Sequence, residues 1–444
     1  MKIIFIEPDG TGGLIHFAFD LCEALQQEGH QVSLITRTGY ELGHLRKSFN
    51  AEQIMKLWRN VDRAPPEARR RITYRLFAAA RRIGRGVRLT REWARVTRRV
   101  LRDRPDAVIF SEIAFPHLAF APFLMRRAGI STAQICHEFT ERDTKSALIA
   151  SLSLKASEFL FRQFEYIFFL SQATRREFLE SVPFKSERTL RIPHGSAEIF
   201  GRQRITAAEL KHELGIDLAE PVLLYFGYIR PSKGIGDLIE AFSQSAAACR
   251  AKLVIAGHVT KFSDLSELEE QVAILGLRDR VVIKASYIPN DEVLAYFDMA
   301  TAIVLPYRSA SQSGVLHLAY GQARPVIATA VGGLAEDVID GETGILVPAK
   351  DTVALARAID QIINDPVSAQ TMGTYAKVLA NTRFTWAAAA RAITNRLATC
   401  YLNHQGQPVA KVAMNYSNAD DCKEARAVAD GKGVHGPQKN AKSN

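Results

Sequence analysis

The chain of 444 residues carries 57 Lys plus Arg against 47 Asp plus Glu, a formal net charge of +10, with 47% hydrophobic and 23% charged residues. That balance is ordinary for a globular protein and excludes collagen-like and low-complexity classes, and the length predicts two domains, each able to bury its own core. The five cysteines, at 22, 136, 249, 400 and 422, show no C-x-x-C or Cys/His metal spacing, so they read as buried thiols in a reducing compartment.

The first residues pass directly into an apolar strand without the three-part pattern of a secretory signal, and no window of about 18 unbroken apolar residues follows. A membrane span is therefore not expected, and the expected location is cytoplasmic, with peripheral attachment to the inner face of a membrane left open. Strand patterns then alternate with helical ones. Strands are predicted at about 2–7, 31–36, 106–110, 131–136, 166–170 and 189–192 in the first half, with a helix from about Ile15 to Glu28 after the Gly10-Thr11-Gly12-Gly13 loop. The run Tyr166-Ile167-Phe168-Phe169-Leu170 is strand-length and reads as fully buried.

Near 197–217 the pattern breaks, Arg202 to Ile205 leading into a short helix. The second half has strands at about 222–226, 252–256, 281–284, 302–305, 325–328 and 345–347. Alternation of this kind predicts parallel sheets with crossover helices. Phe384 to Tyr401 reads as a helix. From about Asn403 the composition turns polar without periodicity, which predicts a disordered tail. The expected organisation is a first Rossmann-like domain over 1–200, a second over 216–380, a helix over 381–402 and a tail over 403–444.

The positive charge is local. Between residues 41 and 104 there are 19 Lys plus Arg against 6 Asp plus Glu, or +13, which leaves −3 for the rest. Within 63–104 the apolar residues Ile72, Leu76, Phe77, Ile83, Val87, Leu89, Trp93, Val96 and Val100 are interleaved with the arginines, and their spacing predicts helices with one buried stripe. A solvated helix face is the plain alternative; +13 exceeds it and fits an anionic surface, each nearby basic residue adding ~1 kcal/mol. Nucleic acid is not expected, since no binding module appears and the aromatics form no stacking platform.

One stretch, 303–349, predicts a βαβ unit with an anion-ready helix start. Ile303-Val304-Leu305 runs into Ser311-Gln312-Ser313-Gly314, a helix opens, and Pro325-Val326-Ile327 begins the next strand. Short side chains would let a phosphate approach the backbone N–H groups there. The plain alternative is a tight strand-to-helix turn. Gly10, Gly12 and Gly13 do not fit G-x-G-x-x-G and no acidic residue closes the strand ending Ile35-Thr36-Arg37, so a dinucleotide oxidoreductase is not expected.

Taken in order, the GG loop, Gly29-His30-Gln31-Val32, Ile135-Cys136-His137-Glu138, Ile192-Pro193-His194-Gly195, Gly227 to Gly234, Leu253 to Gly257 and the 303–349 stretch resemble a retaining glycosyltransferase of family 4. The resemblance implies the GT-B fold, two facing Rossmann-like domains whose final helix crosses back to the first. It implies a nucleotide diphosphate sugar as donor, a lipid-linked or growing glycan as acceptor, and no cofactor or metal. Arg230 and Lys233 would neutralise the leaving diphosphate. His137 would orient sugar or acceptor, with Glu138 a lesser candidate. Gly12, Gly13, Gly227, Ser311, Gln312, Ser313 and Gly314 would line the donor. Glu336, in Gly332-Gly333-Leu334-Ala335-Glu336, would either bind donor hydroxyls or cap a helix.

Two departures stand out. Tyr228 occupies the place where the family usually has Arg, which makes Arg230 the substitute. Ala310 and Leu318 occupy the places of two glutamates, so donor contacts would pass to Ser311 to Gly314. A catalytically inert GT-B partner subunit and a GT-B nucleotide-sugar epimerase are the alternative readings.

Overall fold

The computed structural model describes residues 1–57, 72–111, 113, 115–139, 158–201, 203–260 and 263–404. Residues 63–71 of the basic segment, Arg202 and the expected tail from 405 onward lie outside that set. The described residues divide into two compact units, residues 1–192 with 386–404 and residues 193–385.

Unit 1 is built on a parallel sheet of seven strands, β1 (Lys2–Glu7), β2 (Gln31–Arg37), β3 (Asn50–Met55), β4 (Ala107–Phe110), β5 (Ser131–Cys136), β6 (Tyr166–Phe169) and β7 (Thr189–Arg191), in the spatial order 3-2-1-4-5-6-7. β4, β5 and β6 are buried at every position, as expected of strands with helices on both faces. The strand β3 escapes the sequence reading. Asn-Ala-Glu-Gln-Ile-Met has no apolar run because it lies at the sheet edge, where only Met55 is buried.

The helices of unit 1 include α1 (Gly13–Gln27), α2 (Ile72–Asp103), α3 (Phe120–Arg127) and α4 (Gln172–Ser181). α2 buries Leu89, Trp93, Val96 and Val100, spaced four, three and four residues apart, and Trp93 stacks on Phe110 with ring centroids 6.0 Å apart. The last helix of the chain, α13 (Trp386–His404), returns to this unit and packs along α1. Trp386 meets Phe17 edge-on at 4.9 Å, and Arg391 bonds Glu28 at 2.7 Å.

Unit 2 has six parallel strands, β8 (Val222–Phe226), β9 (Lys252–Ala256), β10 (Val281–Lys284), β11 (Ala302–Leu305), β12 (Val326–Thr329) and β13 (Gly344–Val347), in the order 10-9-8-11-12-13. Its helices are α5 (Ala207–Glu213), α6 (Ile235–Gln244), α7 (Leu265–Ile274), α8 (Val293–Met299), α9 (Gly314–Gly321), α10 (Gly332–Asp337), α11 (Thr352–Asn364) and α12 (Pro366–Thr382). One apolar core runs through Leu224, Ile255, Ile303 and Ile327 to Phe242 and Ile359. A Thr206/Glu209 capping box starts α5.

The thiols correct one expectation. Cys22 and Cys136 are buried, whereas Cys249 is exposed at the end of a short 3-10 turn, Ala246–Cys249, where its Sγ donates to the Ala246 carbonyl. No helix among the described residues is long and apolar enough to cross a membrane.

Candidate active site

In unit 2 the chain leaves β8 toward β9 and β10 on one side, then returns to β11, β12 and β13 on the other. The loops after β8 and β11 therefore diverge and open a crevice beyond the strand ends, the place where open α/β sheets hold ligands.

Glycines set the backbone of that crevice. Gly257, at φ +150°, touches Gly227: a Cβ on it would fall 1.8 Å from the Gly227 carbonyl oxygen. Gly227 itself has φ +119°. Beyond it Ile229 donates its N–H to the His258 carbonyl at 2.9 Å, Arg230 is extended, and Pro231–Lys233 make one 3-10 turn closed by Gly234 at φ +67°. A Cβ at Gly234 would lie 2.0 Å from the Pro306 carbonyl oxygen, so this turn is pressed onto the end of β11.

That contact places Lys233. Its Nζ lies 3.5 Å from the centroid of the Tyr307 ring. Tyr307 is buried, and its Oη lies 3.2 Å from the Ser313 Oγ, which caps α9 by accepting the Leu316 N–H at 3.4 Å. Burial pushes the Tyr307 hydroxyl up to about 12; the bond to Ser313 and the Arg230 charge work the other way. The group stays protonated near neutral pH. Arg308 ties the two loops, giving its N–H to the Ser232 carbonyl at 2.9 Å and its guanidinium fork to Asp237 at 2.8 and 2.6 Å.

The next loop is stitched to β12 as tightly. Gly333 donates its N–H to the Ser311 carbonyl at 3.2 Å, and a Cβ on Gly332, at φ +47°, would fall 1.8 Å from the Ala310 carbonyl oxygen. Ser311 and Ser313 are buried and Gln312 is half-buried, with its Oε1 enclosed and making no hydrogen bond among the described residues. Gly314 opens α9 beside His194. Glu336 is half-buried near the end of the six-residue α10. Ala310 and Leu318 are buried in the apolar core.

Behind α9, His194 and His317 stack face to face at 4.8 Å and 5°, and the His317 Nε2 lies 3.5 Å from the buried Asp337 Oδ2. Spacing in the sequence gave no sign of this pair, whose members stand 123 positions apart.

In unit 1 the reversal falls between β1 and β4. Ser111 directly follows β4, and its Oγ lies 3.2 Å from the Nε2 of His137, just past β5; Phe17 of α1 meets the imidazole edge-on at 4.7 Å. Burial lowers the His137 imidazole from 6.5 to about 4, so it is neutral near pH 7. Glu138 beside it is exposed. Gly12, at φ +78°, gives its N–H to Glu41 Oε1 at 2.8 Å, and His16 pairs with the same carboxylate. The Glu41 carboxylate thus lies at the start of α1; Gly13 begins the helix with open space beside its Cα.

The units align separately with known families. The family of glycosyl transferases group 1 matches residues 220–365, and the glycosyl transferase 4-like domain matches residues 12–195. Both units thus match glycosyltransferase families. Alpha-D-kanosaminyltransferase of Streptomyces kanamyceticus is 29% identical over 226 residues, which cover 50% of this chain and 57% of that protein. The chain spans about half the length of the curated relatives it matches. Sucrose-phosphate synthase from Thermosynechococcus elongatus superposes with a TM-score of 0.69 at 20% identity, covering 90% of this chain and 99% of that one. Anabaena HepE in complex with UDP gives 0.67 at 18% identity, covering 90% and 100%. Both show a shared GT-B fold.

The structure gathers Arg230, Lys233, Gly227 and Ser313 around one crevice of unit 2, while His137, Gly12 and Gly13 belong to unit 1. The sequence reading missed Tyr307 and Arg308. The available signal was an aromatic residue directly past an apolar strand, at the loop where chain order reverses.

Proposed function

We propose that the chain is a retaining glycosyltransferase that moves a sugar from a nucleoside diphosphate sugar to a lipid-linked or growing glycan acceptor at the inner surface of a membrane. The carrying observation is the convergence of Lys233, Arg230 and the start of α9 on the β8/β11 crevice. In the transfer the bond from the anomeric carbon to the diphosphate oxygen breaks, a bond to the acceptor oxygen forms on the same face, and the acceptor's proton passes to the departing diphosphate oxygen. Negative charge grows on the departing diphosphate, and two fixed cations with a helix N-terminus favour that change. Gln312, with its enclosed Oε1, is a donor-hydroxyl partner in place of the carboxylates replaced by Ala310 and Leu318. Neutral His137 and Ser111 offer hydrogen bonds to sugar or acceptor hydroxyls.

UDP in the HepE complex makes uridine the first nucleotide to try. Purified protein is incubated with UDP-, GDP-, ADP- and TDP-sugars and with detergent-dispersed lipid-linked acceptors. Nucleotide release that depends on acceptor supports transfer. Release without acceptor, with a changed sugar, favours an epimerase, and no binding of any nucleotide favours an inert partner subunit.

The membrane part of this reading rests on α2. The expected stripe is buried from Leu89 to Val100 but not at Ile83 and Val87, which are 70% and 56% exposed; Arg88, Arg91, Arg95, Arg98 and Arg102 around them are exposed too. Phe123, Leu124, Arg126 and Arg127 of α3 are exposed as well. Apolar tips set among arginines suit an anionic bilayer surface. Flotation with phosphatidylglycerol vesicles tests it. Binding should weaken in high salt and in Ile83→Asp/Val87→Asp, and equal recovery with neutral vesicles would count against it.

A further inference from the structure

Tyr307 joins the two sides of the crevice. Its backbone is fixed by Thr329, whose Oγ1 donates to the Tyr307 carbonyl at 2.5 Å, and by the contact of Gly234 with the neighbouring Pro306 carbonyl. Its ring carries the Lys233 ammonium on one face at 3.5 Å. A lysine on a flexible four-carbon stem gains a defined place from such a face. The hydroxyl at the far end of the same ring reaches the Ser313 Oγ at 3.2 Å, and that oxygen also accepts the Leu316 N–H. If Tyr307 is the donor in that contact, as Leu316 is in its own, Ser313 Oγ accepts both bonds and its hydroxyl hydrogen is left for a third partner.

We propose that Tyr307 is a positioning residue for a diphosphate: its ring sets the Lys233 ammonium and its hydroxyl orients Ser313 at the start of α9, so that a cation from the β8 loop and a donor from the β11 loop address one phosphate group. Arg308, bonding Ser232 and Asp237, holds those loops at fixed separation and makes the arrangement rigid. The residue touches no substrate itself. The inference rests on the donor reading given under Proposed function.

Calorimetry with UDP, GDP and ADP and with their nucleosides separates the two. Wild-type protein that binds no nucleoside diphosphate overturns the donor reading and this inference together. If one binds, Tyr307→Leu should weaken it about tenfold or more while leaving the nucleoside's affinity unchanged. In the Tyr307→Leu background Lys233→Met should add little, because the lysine has already lost its place. Tyr307→Phe keeps ring and volume and guards against misfolding. It should retain the Lys233-dependent part and lose only what Ser313→Ala loses, the double variant being no worse than either single one. Equal losses for nucleoside and diphosphate, unaltered diphosphate affinity in both Tyr307 variants, or additive Tyr307→Phe and Ser313→Ala effects overturn the inference with the donor reading intact.

Discussion

His137 shows how one buried imidazole makes a pH statement about the whole fold. Its native value of about 4 lies below the ordinary 6.5, so between those limits the unfolded chain binds a proton that the native protein does not. Stability from this group is complete above pH 6.5 and is lost as pH falls toward 4; the shift corresponds to about 3 kcal/mol. Urea denaturation of wild type and His137→Gln across pH 4.5 to 7.5 should show a shallower slope in the variant. Parallel slopes would mean that the imidazole is not kept neutral. Lys233→Ala belongs to the same scale. Loss of one charge-assisted hydrogen bond, ~1.5–3 kcal/mol, should weaken nucleoside diphosphate binding by about 10- to 150-fold, measured by titration calorimetry. Both positions were singled out by the resemblance, His137 at a strand end and Lys233 in the turn Pro231-Ser232-Lys233-Gly234. Tyr307 was not, since its partners Lys233 and Ser313 come from different loops and only the fold brings them to one ring.

At the scale of elements the glycines divide into two kinds. Gly276, at φ +68° after α7, has no atom within reach of an added Cβ, so Gly276→Ala carries backbone strain alone, about 1–2 kcal/mol. Gly234 has nearly the same φ, +67°, yet its Cβ would meet the Pro306 carbonyl oxygen at 2.0 Å. Gly234→Ala must therefore move the 231–234 turn or the end of β11, and Lys233 with it. Chemical denaturation should show a loss several times larger than for Gly276→Ala, and diphosphate binding should fall only in the Gly234 variant. Equal losses would show that the contact yields easily. Sequence pattern distinguished strands and helices here because buried parallel strands are continuous apolar runs, and it failed at β3, whose edge position removes that signal. It cannot distinguish the two glycines, whose difference lies in what another loop places beside them.

The whole molecule is threaded so that its last helix serves its first unit. After unit 2 the chain re-enters unit 1 at Trp386, which packs on Phe17, which in turn packs on His137. Three distant parts of the sequence, near residues 17, 137 and 386, thus form one aromatic column. The helical reading of 384–401 followed from periodicity, and its return to the first half followed from the resemblance; the anchoring partner is visible only in three dimensions. Trp386→Ala removes a side chain only 4% exposed and should cost about 3–5 kcal/mol. The cost should fall on one unit. Amide hydrogen exchange should speed up in β1, β4 and β5 while β8, β11 and β12 keep their protection, because the core of unit 2 runs through other residues. Trp386→Phe, which retains an aromatic face toward Phe17, should restore part of the protection. Faster exchange in both sheets alike would show that the two units unfold as one cooperative body, and the assignment of the last helix to unit 1 would lose its energetic meaning.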